Sequence, residues 1–195
     1  MTPKSNLTAA IAAALVATTG LVAAPALADH HKAAENVPMV GGAAMYPTKT
    51  IVENAVNSKD HTTLVAAVQA AGLVDALSGP GPFTVFAPTN AAFAKLPAGT
   101  VETLVKPENK GTLTTILTYH VVSGRVSASE LIAMIEKNGG KAELTTLSGG
   151  KLTAAVEGGK VVLTDAAGGK ATVTQADVFQ SNGVIHVTDS VSLPG

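Results

Sequence analysis

Apolar residues recur along this chain with two different periods, and the change between them divides it. In the first half they fall three and four apart. Thr48 or Thr50 can cap a turn carrying Ile51, Val52, Ala55 and Val56. Asp60 can cap residues 61–71, where Leu64, Val65, Val68 and Ala71 share one face and Gly72 ends the run. Leu73 to Leu77 adds an apolar turn before Ser78-Gly79-Pro80-Gly81-Pro82, which suits neither helix nor central strand. Phe83 to Ala87 is strand-like, Pro88 ends it, and Thr89 or Asn90 can cap a short helix holding Ala91, Ala92, Phe93 and Leu96. Residues 112–120 form a further helical run. Ser127-Ala128-Ser129-Glu130 is a capping box that opens a fourth, ending at Asn138-Gly139-Gly140.

Beyond that point the period drops to two. Gly-Gly-Lys recurs at 139–141, 149–151, 158–160 and 168–170, separating the runs Leu152–Val156, Val161–Thr164 and Ala171–Thr174. Such spacing predicts antiparallel hairpins, and no copy has the length or following helix of a phosphate-binding loop. Ser181-Asn182-Gly183 is another turn before a last strand over Val184–Val191. There Ile185, Val187 and Val191 face one side, His186 and Thr188 the other. The expected architecture is α+β, with helices first and a β-meander second, packed on one core.

The termini and composition narrow the function classes. Lys4, the apolar stretch Leu7–Ala24 and Pro25-Ala26-Leu27-Ala28 predict a cleavable export signal over residues 1–28, cut after Ala28. Residues 29–47, with Gly41-Gly42 and no period, read as a flexible leader, and residues 48–195 as one domain. No later stretch is long and apolar enough to span a bilayer, so the destination is periplasmic or secreted. The chain has no cysteine, so no disulfide supports it. Its 13 basic and 14 acidic side chains alternate in sign without a basic block, and tryptophan is missing, which argues against a nucleic-acid surface.

Three ordered stretches resemble a known family. Gly81-Pro82-Phe83-Thr84-Val85-Phe86-Ala87-Pro88-Thr89-Asn90-Ala91-Ala92-Phe93 looks like the first signature of the fasciclin, or FAS1, domain. Ser181-Asn182-Gly183-Val184-Ile185-His186-Val187-Thr188-Asp189 resembles the second, and Tyr119-His120 falls between them where the family carries a Tyr-His motif. The resemblance runs from about Thr50 to Pro194. It implies a wedge of two small β-sheets flanked by N-terminal helices. It also marks Phe83, Phe86, Pro88, Thr89, Asn90, Phe93, Asn182, Gly183, His186 and Asp189 as structural motif residues. Members are mostly secreted or cell-surface adhesion modules rather than enzymes, and in animal members the Tyr-His motif is implicated in integrin binding.

The candidate sites follow. On a helix continued to residue 120, Leu113, Ile116, Leu117 and His120 share an apolar stripe, so His120 points inward while Tyr119 lies at the stripe's edge. If a strand begins near Thr118 instead, His120 shares a face with Val122 and Tyr119 with Val121. In both cases the imidazole supports a surface more readily than it touches a ligand. His186 is expected to fix the last strand by a hydrogen bond, and His61 to be solvated. Cleavage after Ala28 would start the mature chain at Asp29-His30-His31, an amine, amide and imidazole set able to wrap copper(II) or nickel(II).

Catalytic patterns are missing: no G-x-S-x-G, no H-E-x-x-H and no thiol occurs, and no cofactor is implied. The expectation is a non-enzymatic exported module supporting cell adhesion, whose partner is a protein or a cell-surface or matrix component. Adhesive members often carry tandem domains whereas this chain has room for one, so avidity would need self-association or anchoring. The alternative is a carrier of a small apolar ligand, as some family members resemble carotenoid carriers and the chain is rich in Ala, Val and Leu.

Overall fold

A computed structural model describes residues 37–195. The predicted signal and the Asp29-His30-His31 triplet lie outside the described residues. A short antiparallel hairpin comes first, β1 (Met39–Val40) with β2 (Ala43–Ala44). Helices follow: α1 (Ile51–Ala55), α2 (Thr62–Ala71) and α3 (Val74–Ser78). Next come β3 (Phe83–Pro88), α4 (Asn90–Ala94), α5 (Thr100–Leu104), α6 (Lys110–Tyr119), β4 (Val121–Ser123) and α7 (Ala128–Lys137). The meander closes the chain: β5 (Lys141–Thr145), β6 (Lys151–Glu157), β7 (Lys160–Thr164), β8 (Lys170–Gln180) and β9 (Gly183–Thr188).

Local chemistry sets most of these boundaries. Thr50 opens α1 with a full capping box, its hydroxyl accepting from the Glu53 amide while the Glu53 carboxylate reaches back. Ser127 and Glu130 open α7 in the same way. Thr89 caps α4 by accepting from the Ala92 amide at 3.2 Å. Gly72 ends α2 in the left-handed conformation, φ +72°, where a side chain would be strained. The Gly-Gly-Lys repeats sit at the turns entering β5, β6, β7 and β8, as their spacing predicts.

Seven strands run in the order β4-β3-β9-β8-β7-β6-β5. β8 belongs to two small sheets: its first residues pair with β7, and from Val173 onward it pairs with β9. Two register breaks, between Val173 and Gln175 and between Gln175 and Val178, bend it so that the two sheets splay into a wedge. The far edges nearly meet, since Val122 bridges Thr146 and the Leu147 amide donates to the Val121 carbonyl at 2.7 Å.

At the centre β3 and β9 run parallel, Phe83 opposite Gly183 through Pro88 opposite Thr188. This pair separates two hydrophobic clusters, not the single core expected from sequence. One lies under the helices and includes Ile51, Leu64, Val68, Val85, Phe93, Leu117 and Ile185. The other fills the wedge and includes Phe86, Tyr119, Leu131, Leu152, Leu163 and Val173. Alternation along β3 explains the split, because Val85 and Phe86 must enter opposite faces.

The expectation of a flexible leader over 29–47 fails for its described part. Val40 and Met45 are buried in the helix-side cluster, and the Gly41 carbonyl accepts from the Lys59 amide at 3.1 Å. A hairpin of two-residue strands is too short to show a period, which is why the pattern misses it.

Glycine positions supply a direct test. A Cβ on Gly183 would strike the Phe83 carbonyl and come within 2.9 Å of Ile51 Cδ1, whereas one on exposed, helical Gly111 meets nothing within 4 Å. Gly183→Ala is expected to lower unfolding free energy by about 2–4 kcal/mol and Gly111→Ala to raise it by about 0.5–1 kcal/mol. Urea denaturation of both variants checks the pair, and equal midpoints would contradict the register at β9.

Candidate functional site

Tyr119 and His120 sit at the end of α6, where the helix stops and β4 begins, and consecutive side chains diverge. Tyr119 is fully buried in the wedge cluster. This corrects its expected place at the edge of the stripe: β4 and α7 bring a second core across the face that a lone helix would leave open. Its hydroxyl donates to the Lys151 carbonyl at 2.5 Å and accepts from the Ala166 amide at 3.0 Å, tying β6 to the β7–β8 turn. Burial raises the phenol pKa, the Ala166 amide opposes that rise, and the nearby Asp165 charge adds to it.

His120 caps α6 and is 3% exposed. A carbonyl can only accept, so the 2.8 Å contact with Ile116 O places a proton on Nδ1. Nε2 is then free to accept from the Ser192 amide at 3.0 Å. Both nitrogens are therefore used by a neutral ring, which clasps the C-terminal tail to α6. The His120 carbonyl in turn accepts from the Phe86 amide at 2.9 Å.

His186 works as the opposite tautomer. Nε2 donates to the Val126 carbonyl at 2.9 Å and Nδ1 accepts from the Asp177 amide at 3.3 Å. The ring stacks on Phe86 with centroids 5.6 Å apart. Asp177 holds a left-handed backbone, φ +57°, within the bent part of β8, and its carboxylate accepts from Ala128 at the start of α7. One imidazole thus joins β9, β8 and the approach to α7.

His61 is buried at 3% exposure, which corrects its expected solvation. It lines a small apolar cavity with Val40 of β1, Met45 just after β2 and Leu64 of α2, and Ser58 Oγ meets Nδ1 at 2.9 Å. Its Nε2 faces the Ala87 backbone without a hydrogen-bond partner, the one buried side-chain atom so placed among the described residues. The expected Asp60 cap fails for a related reason. Asn90, 27 residues away from Thr63, accepts from the Thr63 amide at 3.0 Å and donates to the Lys59 carbonyl at 2.8 Å. A tertiary contact takes the place of the local cap.

The remaining motif residues also hold the frame. Phe83 and Pro88 bound β3, Phe86 and Phe93 fill opposite clusters, and Thr89 caps α4. Asn182 accepts from the Ile51 amide at 3.0 Å and donates to the carbonyls of Leu77 and Gly79 at 2.8 and 3.0 Å. Asp189 accepts from the Thr172 amide at 2.8 Å and pairs with Lys95 at 3.5 Å. One residue that the motifs do not mark belongs with them: Asp165 accepts from the Gly169 and Leu193 amides at 2.6 and 2.8 Å, beside Tyr119 and His120. The Asp-x-x-Gly turn around it was the available signal.

An opening lies beside this frame. A cavity of about 150 Å³ between α1, α2, α3, β3 and α6 is lined by Ile51, Leu64, Val68, Leu77, Val85 and Leu117. His120 also reaches its wall. No group of three metal-ligating side chains occurs among the described residues, and no helix among them is long and apolar enough to cross a membrane.

Two tests follow from the buried rings. Tyr119→Phe and His120→Ala should each lower unfolding free energy by about 1–3 kcal/mol, because the first removes two hydrogen bonds of a buried hydroxyl and the second orphans the buried Ile116 carbonyl and Ser192 amide. Circular-dichroism melts check this, and unshifted midpoints would refute the scaffold role. Acid should also weaken the fold. Burial lowers the pKa of His61, His120 and His186, against smaller upward pulls from Ala87 and Asp60, Ile116 and Asp165, and Val126 and Asp177 respectively. Their stabilisation is therefore complete above the unfolded value near 6.5. It is lost as pH falls from there through the depressed folded values, at up to about 1.4 kcal/mol per pH unit for each ring. Urea midpoints between pH 7.5 and 5 should fall, and fall less steeply in His186→Gln; a flat profile would contradict neutral buried rings.

Comparison with known proteins agrees with this geometry. The Fasciclin domain family matches residues 59–194. Protein sll1483 of Synechocystis sp. is 49% identical over 160 residues, covering 82% of each chain. Immunogenic protein MPB70 of Mycobacterium bovis is 34% identical over 191 residues, 95% of this chain and 89% of the relative. Transforming growth factor-beta-induced protein ig-h3 of Sus scrofa is 34% identical over 153 residues, 76% of this chain but 20% of that protein. A solved FAS1 domain pair from the insect cell adhesion molecule Fasciclin I shares the fold, with a TM-score of 0.66 at 20% identity over 75% of this chain and 51% of that one. With its wedge, its parallel central pair and its buried Tyr-His motif all in place, the chain belongs to the fasciclin domain family.

Proposed function

We propose that this chain is an exported, non-enzymatic interaction module that supports adhesion between cells or to a surface. One observation carries the reading: Tyr119, His120, Asn182 and His186 are buried, and their polar atoms are consumed by internal hydrogen bonds. Side chains committed in this way hold a shape, so recognition passes to the exterior. Met39, Tyr46, Val56, Leu147, Val156 and Phe179 stand exposed there, and large exposed apolar side chains suit protein partners. The adhesion molecule that shares the fold is consistent with this role. Export rests on the composition of residues 1–28.

A second reading, carriage of a small apolar ligand, is favoured by the cavity beside His120. Its size argues for a small guest. At about 150 Å³ it matches cavities that take a benzene-sized molecule, while drug-sized ligands need roughly 300–1,000 Å³. A carotenoid would require α1, α2 and α3 to part. Adhesion therefore leads.

In the native host, a strain lacking this chain is expected to aggregate and attach less than wild type, with recovery on re-expression. Attachment equal to wild type would count against adhesion. Solvent extraction of the purified protein, read by absorption and mass spectrometry, addresses the carrier reading; a stoichiometric apolar compound would reverse the order of preference.

A further inference from the structure

The chain contains two Asn-Gly dipeptides, Asn138-Gly139 and Asn182-Gly183. Asn-Gly is the dipeptide most open to deamidation, because glycine has no side chain to shield its amide nitrogen. That nitrogen attacks the asparagine Cγ, a new N–C bond forms, and the side-chain nitrogen leaves as ammonia. Water then opens the resulting succinimide at either carbonyl, giving aspartate or isoaspartate. The reaction needs only water, and it needs the side chain free to turn back on its own chain.

The fold treats the two dipeptides differently. Asn138 follows the last turn of α7, is exposed, and precedes two exposed glycines in left-handed conformations. Nothing lies within 4 Å of where a Gly139 Cβ would stand. Asn182 is 8% exposed, and all three of its side-chain hydrogen bonds lead to other elements: Ile51 opening α1, Leu77 in α3 and Gly79 just beyond it. Gly183 lies in the ladder between Phe83 of β3 and Gln180 of β8. The reacting carbon is thus pinned towards the helices while its attacker is held in the sheet. Attack requires all three bonds and the central pairing to open together.

We propose that Asn182 is a deamidation site gated by unfolding, and that its modification makes unfolding permanent. Aspartate at 182 has no side-chain N–H to give Leu77 and Gly79, so a carboxylate would face one buried and one half-buried carbonyl oxygen. Isoaspartate would also lengthen the backbone at the tightest point of the β8–β9 turn, where Gly81 and Phe83 crowd the chain. An unfolded molecule is then retired chemically, a known route to irreversible loss. Asn138, at a solvated helix end, ages without that consequence.

The test uses the wild-type protein at mildly alkaline pH, with and without guanidinium, followed by peptide mapping and mass spectrometry. In buffer, Asn138 should convert while Asn182 converts at least about a hundredfold more slowly, as expected for a step that waits on opening of a buried segment. In guanidinium the two rates should come within a few-fold. After dilution, molecules modified at 182 should fail to regain native circular dichroism, and those modified only at 138 should regain it. Equal rates in buffer would overturn the gating, and native refolding of the Asn182-modified fraction would overturn the lock. Asn138→Asp gives an independent control, expected to keep the wild-type melting midpoint.

Discussion

The parallel pairing of β3 with β9 is the constraint on which the rest of this fold depends. Its partners, Phe83 and Gly183, are 100 positions apart, and closing a loop of that size costs about 4 kcal/mol beyond a constant term. The two signature stretches are the two strands of this pair. Gly183 lets the backbones approach, Asn182 fixes the start of β9 to α1 and α3, Phe86 stacks on His186, and the Thr89 amide reaches the Thr188 carbonyl at 3.2 Å. Each contact stabilises the same register, so a sequence without cysteine obtains from backbone-directed hydrogen bonds what a cross-link would otherwise supply.

Because that pair divides the interior, β4, β8 and α6 beside it each serve two cores, Val121 and Val178 entering one and Val122 and Val173 the other. Helix α6 does so at its C-terminal end: Leu117 completes the helix-side stripe, Tyr119 crosses into the wedge, and the capping residue His120 remains at the boundary. The adjacent aromatic residues therefore form a joint between two packing units rather than a patch. A ligand seeking both side chains from outside would have to displace the tail at Ser192 and the turn at Ala166.

Much of this was legible in the sequence where the determinant is local. The Ser127–Glu130 capping box, the strand ending at Pro88 and the Gly-Gly-Lys turns depend on residues within a few positions and stand where the pattern puts them, while of the paired candidates the pattern leaves open, Thr50 and Thr89 are the caps. What was hidden depends on partners distant in sequence. Asp60 carries the better local capping signal, yet Asn90 binds the start of α2 from the first turn of α4. His61 looks solvated until Val40, Met45 and Leu64 line a cavity with it, and Tyr119 looks marginal until the second core exists. The motif residues were visible by resemblance, but their work as clasps between elements appears only when Ile51, Leu77, Val126 and Ser192 are brought beside them.

The choice of imidazole at two of these clasps has a physical logic. His120 and His186 each link two backbone groups, one donor and one acceptor, across an apolar seam. A neutral ring does this with two χ angles and a flat face that packs against hydrocarbon, and the two residues use opposite tautomers to suit opposite polarity in their surroundings. A carboxylate could accept both ways but not donate, and a lysine could donate but not accept. The price is sensitivity to protons, since a charged ring can no longer accept from Ser192 or Asp177. The geometry that makes the Tyr-His motif a sound scaffold therefore also sets an acid limit on the fold, and that limit follows from the hydrogen-bond pattern whatever partner the exterior recognises.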